Sequence, residues 1–229
     1  MTPIELVAFD LDGTLIDSAA DIARAVDQAL AALGQPTHGV DEVKGWVGEG
    51  LTMLLKRALT GKLDGEPDPA LLTRCREEFR RFYKRGLCVD TRFYPGAREA
   101  LDMLSGRYQL ACITNKASEY TDPLLKLLGV YERFDVVVSG DTVGALKPDP
   151  TPLLYTASQM GAPPEACCMV GDSRNDILAA KAADFRAVAV SYGYRQGVDL
   201  MALGADTELN SLTELPAWIE GLAAGTASR

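Results

Sequence analysis

The sequence predicts an α/β fold: a Rossmann-like parallel sheet covered by helices on both faces, with an all-helical domain inserted after the first strand. Short apolar runs alternate with helical patterns in the second half of the chain, which is typical of parallel strands joined by crossover helices. About a hundred residues separate the first run from the second, far more than a crossover requires. The apolar runs are residues 4–9, 110–113, 134–138, 167–170 and 187–190.

The first predicted strand ends in two acidic residues, Asp10 and Asp12. Their i, i+2 spacing sends both side chains to the same side of an extended backbone, and Gly13 then permits a sharp turn. Two carboxylates this close need a cation between them, or one of them must hold a proton, and hydrolytic enzymes use both solutions. The alternative is that the two acids only begin a solvated loop.

The long gap that follows contains signals for three helices. Ser18 and Asp21 form a capping-box pattern at the start of the first, which Gly34 ends. The second helix runs up to Gly61, and the third begins at Asp68, which is followed by a proline. Each helix carries an apolar stripe, so we expect a helical insertion with its own core.

We place the inserted domain at residues 17–93 and a core domain at residues 1–16 and 94–229. An insertion that begins just after the two acids would lie over them as a cap. Such a cap would control access to the site and select substrates.

Polar residues also follow two later strands. Thr114 and Asn115 offer a hydroxyl and an amide ahead of a helix, a pattern that suits anion binding but also ordinary helix entry. Lys147 lies in a loop with two prolines, where an ammonium group could sit beside the acids and a phosphate. A solvated surface lysine is the alternative interpretation.

A second acidic pair, Asp172 and Asp176, lies where another apolar strand ends and a helix opens. Acids at a helix start are often only capping groups. Two acid pairs at two strand ends, however, supply the oxygen ligands that a hard cation such as Mg²⁺ prefers. The two pairs therefore support each other as a predicted metal site.

The composition excludes several classes of partner. The 229-residue chain is 47% hydrophobic and 24% charged, with a formal net charge of -9, so nucleic acid and anionic membrane surfaces would be repelled. No apolar stretch reaches transmembrane length, and the N-terminus leads directly into the first strand, which predicts a cytoplasmic protein.

Five cysteines show no metal-ligand spacing and are predicted to be buried thiols in a reducing compartment. The neighbours Cys167 and Cys168 could also form a redox pair. Adjacent side chains in a strand point to opposite faces, however, which disfavours that alternative.

Taken together, these segments resemble the four motifs of the haloacid dehalogenase-like superfamily, in the same order. The matching runs are Asp10-Leu11-Asp12-Gly13-Thr14, Thr114-Asn115, Lys147-Pro148 and Gly171-Asp172-Ser173-Arg174-Asn175-Asp176. The resemblance covers essentially the whole chain, including an insertion that looks like the superfamily's helical cap.

The resemblance implies a mechanism with named residues. Asp10 would attack phosphorus and form an aspartyl-phosphate, and Asp12 would protonate the leaving oxygen and then activate water. Thr114 and Lys147 would hold the phosphoryl oxygens, and Asn115 is grouped with them as substrate-binding.

The resemblance also implies a magnesium site. Mg²⁺ would be held by the Asp10 carboxylate, the Asp12 backbone carbonyl and Asp172. Asp176 would either bind the ion directly or contact one of its ligands. The aspartate at position 12 favours phosphoryl transfer from an oxygen ester, because relatives that cleave carbon–halogen or carbon–phosphorus bonds lack an acid there.

Within the superfamily, the chain is most similar to the phosphoglycolate phosphatase group. The similar segments are Gly45-Trp46-Val47-Gly48-Glu49-Gly50, Ser139-Gly140-Asp141 and Gly171-Asp172-Ser173. This resemblance implies hydrolysis of 2-phosphoglycolate, a small-molecule phosphate ester, with Trp46, Gly48 and Gly50 as substrate-binding residues of the cap. A monomer or homodimer is expected.

Other capped relatives remain as alternatives: sugar-phosphate mutases, sugar phosphatases and pyrophosphatases. A non-catalytic metabolite-binding protein is the alternative from another class. Such a protein would be expected to have lost a catalytic acid or the lysine, and this chain retains them all.

Overall fold

A parallel six-stranded sheet forms the centre of the molecule in the computed structural model, which describes residues 2–224. Its strand order is β5-β4-β1-β6-β7-β8, and a two-stranded ribbon of β2 and β3 lies apart from it. The strands among the described residues are β1 (Leu6–Phe9), β2 (Ile16–Asp17), β3 (Arg92–Phe93), β4 (Gln109–Ile113), β5 (Val136–Val138), β6 (Cys167–Gly171), β7 (Arg186–Val190) and β8 (Thr207–Leu209).

Nine α-helices connect these strands within the described residues. Asp68 caps one of them by accepting a hydrogen bond from the Leu71 N–H at 2.9 Å, as the sequence predicts. The helices are α1 (Ala19–Ala32), α2 (Val40–Lys44), α3 (Gly50–Thr60), α4 (Pro69–Arg85), α5 (Ala97–Leu104), α6 (Ser118–Leu127), α7 (Thr151–Met160), α8 (Arg174–Ala182) and α9 (Leu215–Ala224). The α/β fold with a helix-covered parallel sheet is therefore confirmed.

The central strand β1 pairs in parallel with β4 on one side and β6 on the other. Because the carboxyl ends of parallel strands meet at one edge, the residues that follow them come together there. Asp10 follows β1, Thr114 follows β4 and Asp172 follows β6. The strand register therefore assembles three of the four predicted motifs.

The two faces of the sheet belong to two separate apolar clusters. Val7 and Phe9 point into the cluster that includes the inserted helices, whereas Leu6 and Ala8 point into the cluster covered by α7 and α8. Both faces of β1 are fully buried. A continuous apolar run is what such a strand requires.

The cysteines behave as predicted. Four of the five are buried and all five are free thiols. The neighbours Cys167 and Cys168 lie in opposite clusters, because consecutive strand residues face opposite sides of the sheet.

The helices α1 to α4 lie between β2 and β3, at the position of the predicted insertion. The two strands form an antiparallel pair in which Ile16 opposes Phe93 and Asp17 opposes Arg92. The chain therefore leaves and re-enters the sheet region through one narrow ribbon. The apolar side chains of these helices join the cluster on one face of the sheet instead of forming a core of their own.

Helix α1 begins where the capping pattern predicts, but its two signature residues bond elsewhere. The Ser18 hydroxyl donates to Asp12 and does not cap the helix. The Asp21 carboxylate accepts hydrogen bonds from the N–H groups of Asp90 and Thr91 in the returning chain. An acceptor for Ser18 and N–H donors for Asp21, both outside the helix, thus outcompete the local capping geometry.

Within residues 2–224, no helix combines the length and the apolar character needed to cross a bilayer.

Candidate active site

Asp10 lies directly beyond β1 and is almost completely buried. Its N–H donates to the Val170 carbonyl at 2.9 Å, so the parallel ladder continues one residue past the strand and fixes the carboxylate. Burial raises the pKa of Asp10 to about 7, because the opposing effect of Lys147 is smaller and the charge of Asp176 adds to the rise. A further positive charge, in addition to Lys147, would favour the ionised form.

Lys147 is buried and bonded through all three of its N–H donors. Its Nζ lies 2.9 Å from Asp10 Oδ1 and 2.7 Å from Asp176 Oδ1, and it also donates to the Ile113 carbonyl. Burial acts to lower the pKa of Lys147, but Asp10 and Asp176 outweigh it and the pKa is raised. The residue is therefore a fixed positive charge and not a solvated surface lysine.

Asn115 holds the loop that carries this lysine. Its Oδ1 accepts a hydrogen bond from the Lys147 N–H, and its Nδ2 donates to the Lys147 carbonyl and to the Gly48 carbonyl. The side chain lies in the predicted site, but its polar atoms are engaged with backbone groups.

Three carboxylates gather beside Lys147. One oxygen from each of Asp10, Asp172 and Asp176 lies within 4.8 Å of the other two. Burial, with the charges of Asp10 and Asp176, raises the pKa of Asp172 well above its usual range despite hydrogen bonds from Tyr194 and Thr14. Such mutual repulsion is relieved by a cation, and an all-oxygen set suits a hard divalent one. The residues present therefore fit a divalent metal ion.

Asp176 serves this cluster and also caps its own helix. Its Oδ2 accepts hydrogen bonds from the Ser173 N–H and hydroxyl, completing a capping box, while Oδ1 faces Lys147. The capping and cluster interpretations of this acid are thus both fulfilled by one side chain.

Asp12 lines the same cavity but is not part of the three-carboxylate cluster. Its Oδ1 accepts a hydrogen bond from Ser18, and its two oxygens lie 3.2 and 3.0 Å from Lys116 Nζ. Burial acts to lower the pKa of Lys116, but the effects of Asp12 and Tyr83 are larger together, so the pKa is raised. The two predicted acids after β1 therefore occupy different electrostatic environments.

Sequence reasoning missed Lys116 and Ser18. Both lie one or two residues from predicted elements, Lys116 two positions after Thr114 and Ser18 at the start of α1. A polar residue next to a motif was the available signal, but surface exposure is the usual state of such residues.

Thr114 is buried at the end of β4, and its N–H donates to the Val138 carbonyl at 2.9 Å. Thr114 lines the same cavity as Asp10 and Lys147. The hydroxyl oxygen accepts the Lys116 N–H at 3.2 Å, which leaves its own proton available to another acceptor.

The segment 46–50 reaches this site through its glycines. The Gly48 carbonyl accepts hydrogen bonds from Asn115 and Asn175, and Gly48 and Gly50 line the cavity. Trp46 is not among the described residues that line it. Its indole packs edge-on against the His38 ring at 4.8 Å, inside the inserted helices.

The cavity of about 60 Å³ lies between the sheet edge and the inserted helices. One wall is polar and carries the acids, the two lysines, Thr114 and Asn115. The opposite wall is largely apolar and aromatic. It is formed by Ile22, Val47, Leu51, Leu54, Phe79, Tyr83 and Tyr120.

Comparisons with known proteins identify relatives along nearly the whole chain. A family model described as haloacid dehalogenase-like hydrolase matches residues 4–184. A protein named phosphoglycolate phosphatase from Nitrosospira multiformis is 45% identical over 213 residues, which cover 93% of this chain and 94% of that protein. One of the same name from Nitrosococcus oceani is 41% identical, with 92% and 94% coverage.

Solved structures show the same architecture. The crystal structure of a predicted phosphoglycolate phosphatase from Haemophilus somnus superimposes with a TM-score of 0.87 at 29% identity, covering 95% of this chain and 98% of that chain. A haloacid dehalogenase-like hydrolase from Bacteroides fragilis gives a TM-score of 0.83 at 25% identity, with 93% and 99% coverage.

Proposed function

Because the chain belongs to the haloacid dehalogenase-like hydrolases, we propose that it hydrolyses small phosphate monoesters, and that 2-phosphoglycolate is its substrate. The observation that carries the reaction type is the buried arrangement of Asp10, Lys147 and Asp176 at one small cavity, with Asp172 completing the group of three acids. The names of the relatives, at 41–45% identity along nearly the whole chain, support the substrate.

In the proposed reaction, Asp10 is the nucleophile. One carboxylate oxygen attacks phosphorus, the ester bond to the leaving oxygen breaks, and an aspartyl-phosphate forms. Lys147 holds the nucleophile in place, since its Nζ lies 2.9 Å from Asp10 Oδ1. Thr114, with its proton available, and Lys147 offset the charge that develops on the phosphoryl oxygens.

Asp12 is proposed to move the protons. It protonates the leaving oxygen in the first step. In the second it takes a proton from water as that water attacks phosphorus, the bond from phosphorus to the Asp10 oxygen breaks, and phosphate and free Asp10 are formed. Ser18 and Lys116 fix its side chain through contacts to both oxygens. These contacts separate Asp12 from the repulsion among the other three acids.

Mg²⁺ is the proposed metal. The Asp10 and Asp172 carboxylates and the Asp12 backbone carbonyl would hold it, with Asp176 beside them. When bound, the ion neutralises the acids and the phosphate and lets the two anions approach each other. The small separation of the three carboxylates supports this assignment.

We further propose that residues 17–93 act as a cap domain on a core formed by residues 1–16 and 94–229. The single β2–β3 ribbon that joins them supports a division at these points. Contacts from Gly48 to Asn115 and Asn175 support closure over the site. The cytoplasmic location and the monomer or homodimer state stay predictions.

The test is steady-state hydrolysis of a panel of phosphate esters with Mg²⁺. The panel contains 2-phosphoglycolate, glucose 6-phosphate, pyrophosphate and p-nitrophenyl phosphate. We expect the highest kcat/KM for 2-phosphoglycolate and loss of turnover on addition of a chelator. Preference for a sugar phosphate would overturn the substrate, and no turnover of any ester would overturn the reaction.

A further inference from the structure

The cavity contains one cationic group with spare hydrogen-bonding capacity. Among the described residues that line it, the cations are Lys147 and Lys116. All three N–H donors of Lys147 are used by Asp10, Asp176 and the Ile113 carbonyl. Lys116 donates to both oxygens of Asp12 and otherwise faces only the Tyr83 side chain, so one of its three N–H donors has no charged acceptor among the described residues.

Two buried tyrosine hydroxyls on the same side of the cavity lack a well-formed hydrogen bond. The Tyr83 hydroxyl faces Lys116 and the Tyr120 hydroxyl faces Glu119, but neither makes a hydrogen bond of normal geometry to a described residue. Both rings line the cavity and lie 5.1 Å apart, and Lys116 Nζ lies 5.0 Å from the Tyr83 ring centre. Buried phenol groups are normally bonded, so these donors point to a ligand that is bound in the functional complex.

The position of Lys116 relative to Asp12 defines what that ligand group can be. Asp12 is the residue assigned to the ester oxygen, and Lys116 Nζ is 3.0 Å from its carboxylate. In 2-phosphoglycolate, the carboxylate is separated from the ester oxygen by one methylene group. If Asp12 contacts the ester oxygen, the substrate carboxylate, one methylene group away, lies next to the residue that is bonded to Asp12, which is Lys116.

We propose that Lys116, together with the Tyr83 and Tyr120 hydroxyls, binds the carboxylate of the substrate and thereby selects short phosphate esters that carry an acid group next to the ester carbon. This inference rests on the proposed function and identifies which residues read the leaving group. The remaining wall is apolar, with Ile22, Leu54 and Phe79. It offers a sugar hydroxyl no partner, which adds discrimination against sugar phosphates.

The experiment compares 2-phosphoglycolate with ethyl phosphate, which has the same length but no carboxylate. The measured quantity is the ratio of kcat/KM for the two esters. Disturbance of Asp12 lowers both rates and cancels in this ratio, whereas loss of a carboxylate contact changes it. In Lys116→Met we expect the ratio to fall about 10- to 100-fold, the effect of one charged hydrogen bond.

Companion variants separate recognition from folding. Lys116→Arg keeps the charge and should restore much of the ratio, and Tyr83→Phe and Tyr120→Phe should each lower it severalfold. Lys62→Met removes an exposed lysine and should leave it unchanged. For a variant with no measurable turnover, dissociation constants of the two esters are compared on an Asp10→Asn background, which retains the cavity.

The outcomes distinguish the two levels of proposal. If the unmodified protein does not prefer 2-phosphoglycolate to ethyl phosphate, the proposed substrate is wrong and no carboxylate site exists. If it does prefer it and Lys116→Met keeps the full preference in both rates and dissociation constants, the substrate stands and the assignment of Lys116 is wrong.

Discussion

The side-chain amide of Asn115 and the main chain of Lys147 exchange two hydrogen bonds, each 2.9 Å long. The amide oxygen accepts the Lys147 N–H, and the amide nitrogen donates to the Lys147 carbonyl. This reciprocal pair joins the end of β4 to the loop before α7. It fixes the backbone from which Lys147 reaches Asp10, so the position of the ammonium group depends on a neutral side chain that carries no charge of its own.

Replacing Asn115 with alanine should therefore impair catalysis through Lys147. We expect kcat to fall about 100-fold, the effect of a displacement of roughly 1 Å in a catalytic group. The control is Asn175→Ala, which removes a contact to the same Gly48 carbonyl but none to Lys147. Equal losses in both variants would assign the effect to the Gly48 contact.

Asp10→Asn should keep the fold and lose turnover, because an amide is a poor nucleophile toward phosphorus. We expect a loss on the order of a thousandfold or more in kcat. Beryllium fluoride, a phosphoryl mimic, should label Asp10 of the unmodified protein in mass spectrometry or fluorine NMR. Turnover of the variant at a near-normal rate would rule out the covalent intermediate.

Magnesium should support activity and calcium should inhibit it. Calcium takes about six to eight oxygen ligands in a loose geometry, so it would engage a second oxygen of Asp10 and withdraw it from attack. The measurement is the rate of 2-phosphoglycolate hydrolysis while calcium is titrated against constant magnesium. Equal rates with either ion would contradict the dual role of Asp10.

Asp21 should make folding stability dependent on pH in acid. Its burial acts to raise the pKa, but hydrogen bonds from Thr91, Asp90 and Arg24 outweigh it, so the pKa is lowered from 3.8. A lowered pKa in the folded state means that the stabilisation is complete above the unfolded pKa, near 3.8, and is lost as the pH falls through the folded value.

The variant Asp21→Asn should be less stable by about 2–3 kcal/mol at pH 7, since charged hydrogen bonds to buried donors are lost. The difference from the unmodified protein should shrink below about pH 4. Urea unfolding at several pH values measures it, and Asp64→Asn, at an exposed site, is the control. A difference that is constant from pH 7 to pH 3 would contradict the role of ionised Asp21.

The segment 46–50 should affect specificity through Gly50. Its φ is +80°, and an added Cβ would approach the Leu146 Cδ1 at 3.2 Å. Gly50→Ala should lower kcat/KM for 2-phosphoglycolate more than for p-nitrophenyl phosphate, because the larger ester gains less from cap closure.

Gly34→Ala is the matched control for this change. Gly34 has a similar φ of +68°, its added Cβ would meet nothing within 4 Å, and it does not line the cavity. Both substitutions should reduce stability by about 1–2 kcal/mol. If Gly50→Ala reduces kcat/KM for both substrates by the same factor, the segment has a structural role only.

The sequence predicted the strands at the sheet centre and the acids beyond them, because these signals are local. An apolar run followed by Asp10 or Asp172 specifies both a buried strand and the edge at which it ends. The short edge strand β8 and the five-residue helix α2 were not predicted, since each is too short and too polar to carry a periodic pattern.

The partners of Ser18, Asp21 and Lys116 were also beyond prediction from sequence. Each of these side chains bonds to a group brought close only by the completed fold, and the local pattern favoured a cap or a surface position instead. Trp46 illustrates the same limit: a large aromatic beside glycines suggested a binding residue, and it packs against His38. The spacing of residues along the chain does not show which side chains the folded structure brings into contact.

Asn115 and Asn175 connect the inserted helices to the core by two hydrogen bonds to the Gly48 carbonyl. Each is a neutral hydrogen bond worth about 1 kcal/mol, because water replaces it when it breaks. The two bonds therefore contribute less to closure than the apolar contacts that the inserted helices make with one face of the sheet. Their effect is on position: they align the Gly48 backbone with Asn115, which holds Lys147, and with Asn175, which directly precedes Asp176.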